Sequence, residues 1–212
     1  MSVDLTPRRY RDIFSILTVS SKNIHMNLEQ YIAFTPSTAI YTKKNELQYL
    51  TLGLISEVGE LSGKVAKLFR GDKTIEGMRE KIAQEVGDIF WFLSQLHHLS
   101  DTIDLTQNVE RFETTPEDLE WLKDISKEET LDGLYSLCKD LQLEAWHFLT
   151  DERVFEIDAN EYIQELYLYS ISVLALIGFE KEEVFDMNYE KLTGRKAAGT
   201  LKGDGDGVND RH

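Results

Sequence analysis

The sequence predicts an all-α protein, a bundle of amphipathic helices. Three observations carry the fold class. Only three prolines interrupt 212 residues; Leu, Glu and Lys outweigh any strand-like alternation; and apolar residues recur at three- and four-residue spacing over long stretches. An apolar content of 42% suffices for a sizeable core in one domain or at most two.

Taken in order, residues 1–26 form an N-terminal extension in which Arg8, Arg9 and Arg11 flank a short apolar cluster. It reads as a small amphipathic segment more readily than as a targeting signal. The main all-α domain is expected over residues 27–198. Its first helix runs from Asn27 to Ala33 and its second from Asn45 to Arg70, where Leu50, Leu54, Val58, Leu61, Val65 and Leu68 make one stripe. Gly71 stands where a helix C-cap is expected, and a polar stretch leads into a third helix over about Met78 to Leu99, so these two helices form an antiparallel hairpin. Residues 100–130 are polar and acidic, with Pro116 and one short helix around Glu117 to Lys123. Further helices are expected at Leu131 to Leu149, Ala159 to Ile177 and Glu180 to about Arg195, with Gly178 between the last two. The Gly- and Asp-rich tail, residues 199–212, cannot bury a core and is expected to stay mobile.

The formal charge of -15 argues against nucleic acid as a partner, because phosphate contacts need clustered Lys and Arg. The single cysteine, Cys138, precludes an intramolecular disulfide and fits a reducing cytoplasm. No apolar run approaches the ~20 residues of a membrane-spanning helix, so no membrane role and a cytoplasmic location are expected.

The chemistry is carried by acids at helical spacing. Glu57, Glu60, Lys64 and Lys67 share one face of the second helix beside its apolar stripe, while Glu85 and Asp88 lie on and beside the apolar arc of the third. Glu60 and Glu57 stand 11 and 14 residues before Gly71, and Glu85 and Asp88 stand 11 and 14 after Thr74. An antiparallel hairpin therefore brings both pairs to one height, where four acidic groups converge. Clustering like charges away from water is unfavourable by several kcal/mol per ion unless a cation, a proton or hydrogen bonds compensate. All-oxygen ligation without Cys or His points to magnesium, with manganese possible, and to phosphate chemistry. Each pair alone is more often a solvated face ion-paired with lysine; their matching heights favour the metal. Asn188, Lys191 and Arg195 make a polar, cationic face on the last helix, suited to outer phosphates or simply to solvent.

The segments GLISEVGELSGKVAKLFRGD and EKIAQEVGDIFWFLSQL resemble the MazG-type all-α nucleotide pyrophosphatases, whose signature is Glu-x-x-Glu followed by Glu-x-x-Asp. NYEKLTGRKAAGTLKGDGD is similar to that family's closing helix and tail, and YIAFTPSTAIY to its opening helix. Relative to compact members, residues 101–165 form an insertion. The resemblance implies Mg-dependent hydrolysis of a (deoxy)nucleoside triphosphate between the α- and β-phosphates, giving monophosphate and pyrophosphate, in nucleotide-pool control or house-cleaning. It implies Glu57, Glu60, Glu85 and Asp88 as metal ligands and Glu57 or Glu60 as the base. It also implies Asn188, Lys191 and Arg195 as substrate-binding residues, and a homodimer or homotetramer, while Lys64 and Lys67, by their spacing, serve either as partners for the acids or as substrate-binding residues that meet phosphate oxygens. Tyr49, Trp91 and Phe92 are candidates to face the nucleobase, although aromatics at helical spacing are more often core.

Two other readings stand beside this one. A di-iron carboxylate bundle needs two Glu-x-x-His motifs, and only Glu144 to His147 matches. A non-catalytic acidic adaptor or regulatory protein predicts that no single acid is essential. Asp204 and Asp206 lack the later acidic ligand of a calcium loop, and Gly63 with Lys64 lacks the glycines and strand of a phosphate-binding loop.

Overall fold

A computed structural model describes residues 25–107, 126–150 and 159–201. The N-terminal extension to residue 24, the expected helix at Glu117 to Lys123 and the tail from residue 202 lie outside the described residues. Within them the fold is all-α, with six α-helices and no strand.

Helix α1, Leu28–Phe34, starts at a capping box: the Gln30 amide donates to Asn27 Oδ1 at 2.9 Å and the Asn27 amide to Gln30 Oε1 at 3.0 Å. Two short 3-10 turns, Thr35–Thr38 and Lys43–Asn45, lead to α2, Glu46–Phe69, whose buried residues include the six of the stripe read from the sequence. The turn that follows is closed locally. Gly71 takes φ 81°, and the Arg70 guanidinium reaches across it to Asp72, Nε to Oδ2 at 3.1 Å. A side chain at Gly71 would strain that left-handed backbone.

Helix α3, Ile75–Leu99, begins three residues earlier than expected because Thr74 caps it, accepting the Gly77 amide at 3.1 Å. From Ile89 to Leu96 every residue of α3 is buried. A helix apolar on all sides must be surrounded, and α3 is, with α2 and the helices Ala159–Ile177 and Lys181–Ala197 packed along it and α1 beside them.

Helix α4, Lys127–Thr150, and helix α5, Ala159–Ile177, pack on each other; α4 also lies along α2 and α5 along α3, so the four long helices close a ring. The Phe69–Tyr135 ring pair and a hydrogen bond from Gln142 Nε2 to Ser62 Oγ at 3.1 Å show α4 running antiparallel to α2. Leu134, Cys138, Leu141, Ala145 and Phe148 form its narrow buried stripe. The segment expected as an insertion therefore supplies the fourth wall of the bundle. Helix α6, Lys181–Ala197, follows a tight turn at Gly178, φ 72°, pinned by a hydrogen bond from Arg79 Nη2 to the Gly178 carbonyl at 2.8 Å. Among the described residues no single helix is long and apolar enough to cross a membrane.

Leu141 is fully buried where α4 meets the core. Leu141→Ala is expected to cost about 2–5 kcal/mol of global stability, read as a shift of one cooperative urea transition. A separate early transition that leaves the main one in place would show α4 to be peripheral.

Candidate functional site

The hairpin of α2 and α3 sets the height of the acids. Tyr49 packs against Phe92 at 5.9 Å between ring centroids, and Glu57 faces Glu85 and Asp88, so descending numbers on one helix meet ascending numbers on the other. Glu57, Glu85 and Asp88 each bring a carboxylate oxygen within 4.8 Å of the others. Glu85 is only 8% exposed, because its neighbours on that face, Ile82 and Ile89, are core.

Glu60 is the exception among the four predicted ligands. It is exposed and lies outside this trio. Residues three apart on a helix differ by about 60° around the axis, and that step carries Glu60 towards solvent while Glu57 stays at the α3 contact. Its charge still reaches the others, raising the pKa of both Glu57 and Glu85.

The three carboxylates have three different compensations. Glu85 is ion-paired to Lys64, Nζ to Oε1 at 3.0 Å. Asp88 accepts a hydrogen bond from Asn188 Nδ2 at Oδ1, 2.9 Å, and a close ion pair from Lys191 Nζ at Oδ2. Glu57 is pushed up to about 8, first by burial and then by the charges of Asp88, Glu60 and Glu85, against the pull of Lys191. Glu85 is also raised, first by burial, with Lys64 opposing.

Lys64, Lys191 and Asn188, expected to meet phosphate, thus stand against the acids, at the edge of the same cluster. Lys67 is half-buried one turn along α2 from Lys64, and Arg195 is exposed one turn along α6 from Lys191. Trp91 and Phe92 are core, with the Trp91 indole donating to Thr38 Oγ1 at 2.9 Å. Tyr49 exposes 43% of its surface and stands 5.0 Å from the Tyr41 ring, its own ionisation raised by burial and then by the charge of Glu57.

One residue at the site, Tyr31, is not singled out by the sequence. The single proton of the Tyr31 hydroxyl is shared between Asn188 Oδ1 at 2.9 Å and the Gly87 carbonyl at 3.2 Å. Gly87 lets α6 come close to α3 here, since a Cβ there would sit 3.3 Å from Asn188 Cβ and Nδ2 and from Val184 Cγ1. No local pattern marks Tyr31; its partners are 56 and 157 residues away.

As a donor set, carboxylate oxygens from two rigid helices suit a hard divalent cation, which takes oxygen ligands and keeps positions open for water and phosphate. Glu57, Glu85 and Asp88 would hold such an ion directly, with Glu60 beside them. The neutralised state of Glu57 is what an acid cluster adopts when protons serve instead.

Glu57 carries a definite pH dependence. A carboxyl raised in the folded state keeps a proton that the unfolded chain has lost, so its stabilising contribution is complete below about 4.5 and disappears as pH rises through about 8. Chemical denaturation in chelator is expected to show Glu57→Gln gaining stability relative to the parent chain between pH 5 and 8.5. A constant difference across that window would contradict the placement of Glu57 in the cluster.

Comparison with known proteins adds a phage relative. No family model matches the chain, and no solved structure matches it. The Gene 37 protein of Mycobacterium phage L5 is 31% identical over 84 residues, a stretch that covers 36% of this chain and 74% of the phage protein. The coverage of that relative places the present chain in a family with it, and the chain belongs to the family of the phage L5 Gene 37 protein.

Proposed function

We propose that this protein is a magnesium-dependent nucleoside triphosphate pyrophosphohydrolase, cutting between the α- and β-phosphates to release a monophosphate and pyrophosphate. The observation that carries the reading is the convergence of Glu57, Glu85 and Asp88 within 4.8 Å on two antiparallel helices, bordered by lysines from α2 and α6. The likeness of the two acidic segments and the closing helix to MazG-type enzymes supports the same reaction.

In this reading Glu57, Glu85 and Asp88 hold magnesium, or manganese in its place. The metal supplies charge neutralisation on the triphosphate and activation of water. Glu60 is assigned as the base. Its carboxylate is outside the converging trio and faces solvent, which supports a role in accepting a proton from the attacking water. With a cation holding the acids, Lys64 and Lys191 would turn to phosphate oxygens, and Lys67 and Arg195 extend the same cationic border. Tyr49 offers exposed ring surface for a nucleobase, with the half-buried Tyr41 ring beside it.

Self-association, implied by the same likeness, is proposed to use the outer surface of α2 and α4, where Leu52, Phe69, Tyr135 and Trp146 are all at least half exposed. Sedimentation velocity is expected to give the mass of a dimer or tetramer, and Leu52→Glu to lower it. A single-chain mass for the parent protein would overturn this arrangement.

Incubation with each deoxynucleoside triphosphate and magnesium is expected to yield monophosphate and pyrophosphate, resolved by ion-exchange chromatography and phosphorus NMR. Diphosphate with orthophosphate would contradict the assigned bond. Glu60→Gln and Glu85→Gln are each expected to lower kcat/KM by about two orders of magnitude or more with unchanged helical circular dichroism. Full turnover in both variants would refute the site.

A further inference from the structure

We infer that Tyr31 is a positioning residue for the acidic site: its hydroxyl fixes the Asn188 amide with the nitrogen towards Asp88, and so sets the carboxylate that the metal takes. The inference rests on reading the cluster of Glu57, Glu85 and Asp88 as a metal site.

Each link of the relay has only one direction. An ionised carboxylate accepts and cannot donate, so the side of Asn188 that faces Asp88 must be Nδ2, as found at 2.9 Å. The amide oxygen then needs a donor. Asn188 is 3% exposed and Tyr31 is fully buried, so bulk water does not reach the pair, and the Tyr31 hydroxyl at 2.9 Å is the donor that serves it. A buried amide oxygen deprived of its donor is costly, and the amide would be released to rotate and present its oxygen to Asp88.

Tyr31 is well built for this task. Its ring stacks on Phe185 of α6 at 4.6 Å and 17°, which fixes where the hydroxyl lies. Burial, and secondarily the charge of Asp88, pushes its ionisation well above the ordinary tyrosine range, so the proton stays on the oxygen. The Gly87 carbonyl, 3.2 Å away, draws the same hydroxyl to the turn of α3 that carries Asp88. Asn188 at Oδ1 and Lys191 at Oδ2 then hold the Asp88 carboxylate from both sides. Outer groups that orient ligands in this manner commonly contribute ten- to a hundredfold in metal affinity.

The test is Mn2+ binding, followed by electron paramagnetic resonance of the free ion, with Mg2+ as competitor, on the full chain. Tyr31→Phe deletes one oxygen and retains the stacked ring. It is expected to weaken Mn2+ binding by roughly ten- to a hundredfold with the helical signal intact. Asn188→Ala is expected to weaken it at least as much, and Tyr31→Phe in the Asn188→Ala background to add nothing. A Tyr31→Phe protein that binds as tightly as the parent overturns the inference, as does an equal further loss in the Asn188→Ala background, which would mean that Tyr31 acts through packing. Should Tyr31→Phe fold poorly, undiminished binding by Asn188→Ala alone removes the relay. A parent chain that binds neither ion refutes the metal reading and this inference together, whereas tight parental binding with an indifferent Tyr31→Phe refutes the inference alone.

Discussion

The register of α2 against α3 is the constraint on which the site depends. A shift of one residue in either helix would rotate its acids by about 100° and take them out of the shared contact. The register is set at two places. The Arg70–Asp72 pair and the left-handed Gly71 fix the length of the turn, and the interlocked stripe of Leu54, Val58, Leu61, Ile82, Val86 and Ile89 fixes the heights along it. The exposed ion pair at the turn contributes little on its own. The stripe, with all six side chains fully buried, provides the energy that keeps like charges in proximity.

Much of this was legible in the sequence because it is local. The stripe of α2, the glycine after it, the span Ala159–Ile177 and the two acidic pairs at equal offsets from the turn are all readable from spacing alone. Glu60 differs because its placement depends on a 60° step around the helix, which spacing in number does not resolve into buried and exposed. Helix α4 was recognised as a helix, but its place as a wall of the bundle depends on which partner its stripe of Leu134, Leu141 and Phe148 finds. Tyr31 was illegible for a plainer reason: hydrogen bonds to Gly87 and Asn188 join three segments that no periodicity relates.

Those distant links give the fold its dependence on long-range order. Helix α1 and helix α6 meet through Tyr31 and Phe185 and again through Phe34 and Tyr189, 4.6 Å between centroids in both pairs. The His25 ring bonds to Asp186 at 2.7 Å, tying the start of the described chain to the same helix. The ends of the domain thus close over α3 at the turn that bears Asp88. The hairpin alone would carry the acids, but without α6 Asp88 would lose both of the groups that touch it.

The charge arrangement is one compensation for each acid. Lys64 answers Glu85, Lys191 answers Asp88, and a proton answers Glu57, whose value near 8 leaves that proton largely in place at neutrality. None of the three is a permanent solution. The lysines are long side chains at the border of the cluster, only partly buried, and the proton is exchangeable. A single divalent ion could replace all three at once, because two positive charges on one centre within reach of all three oxygens act more strongly than two separate ammonium groups at the border. That exchange would return two cationic side chains to the surface beside the ion. An anion carrying several phosphates is the ligand that such a surface would then attract, and on the proposed reading the acids and the lysines would become complementary halves of one binding site.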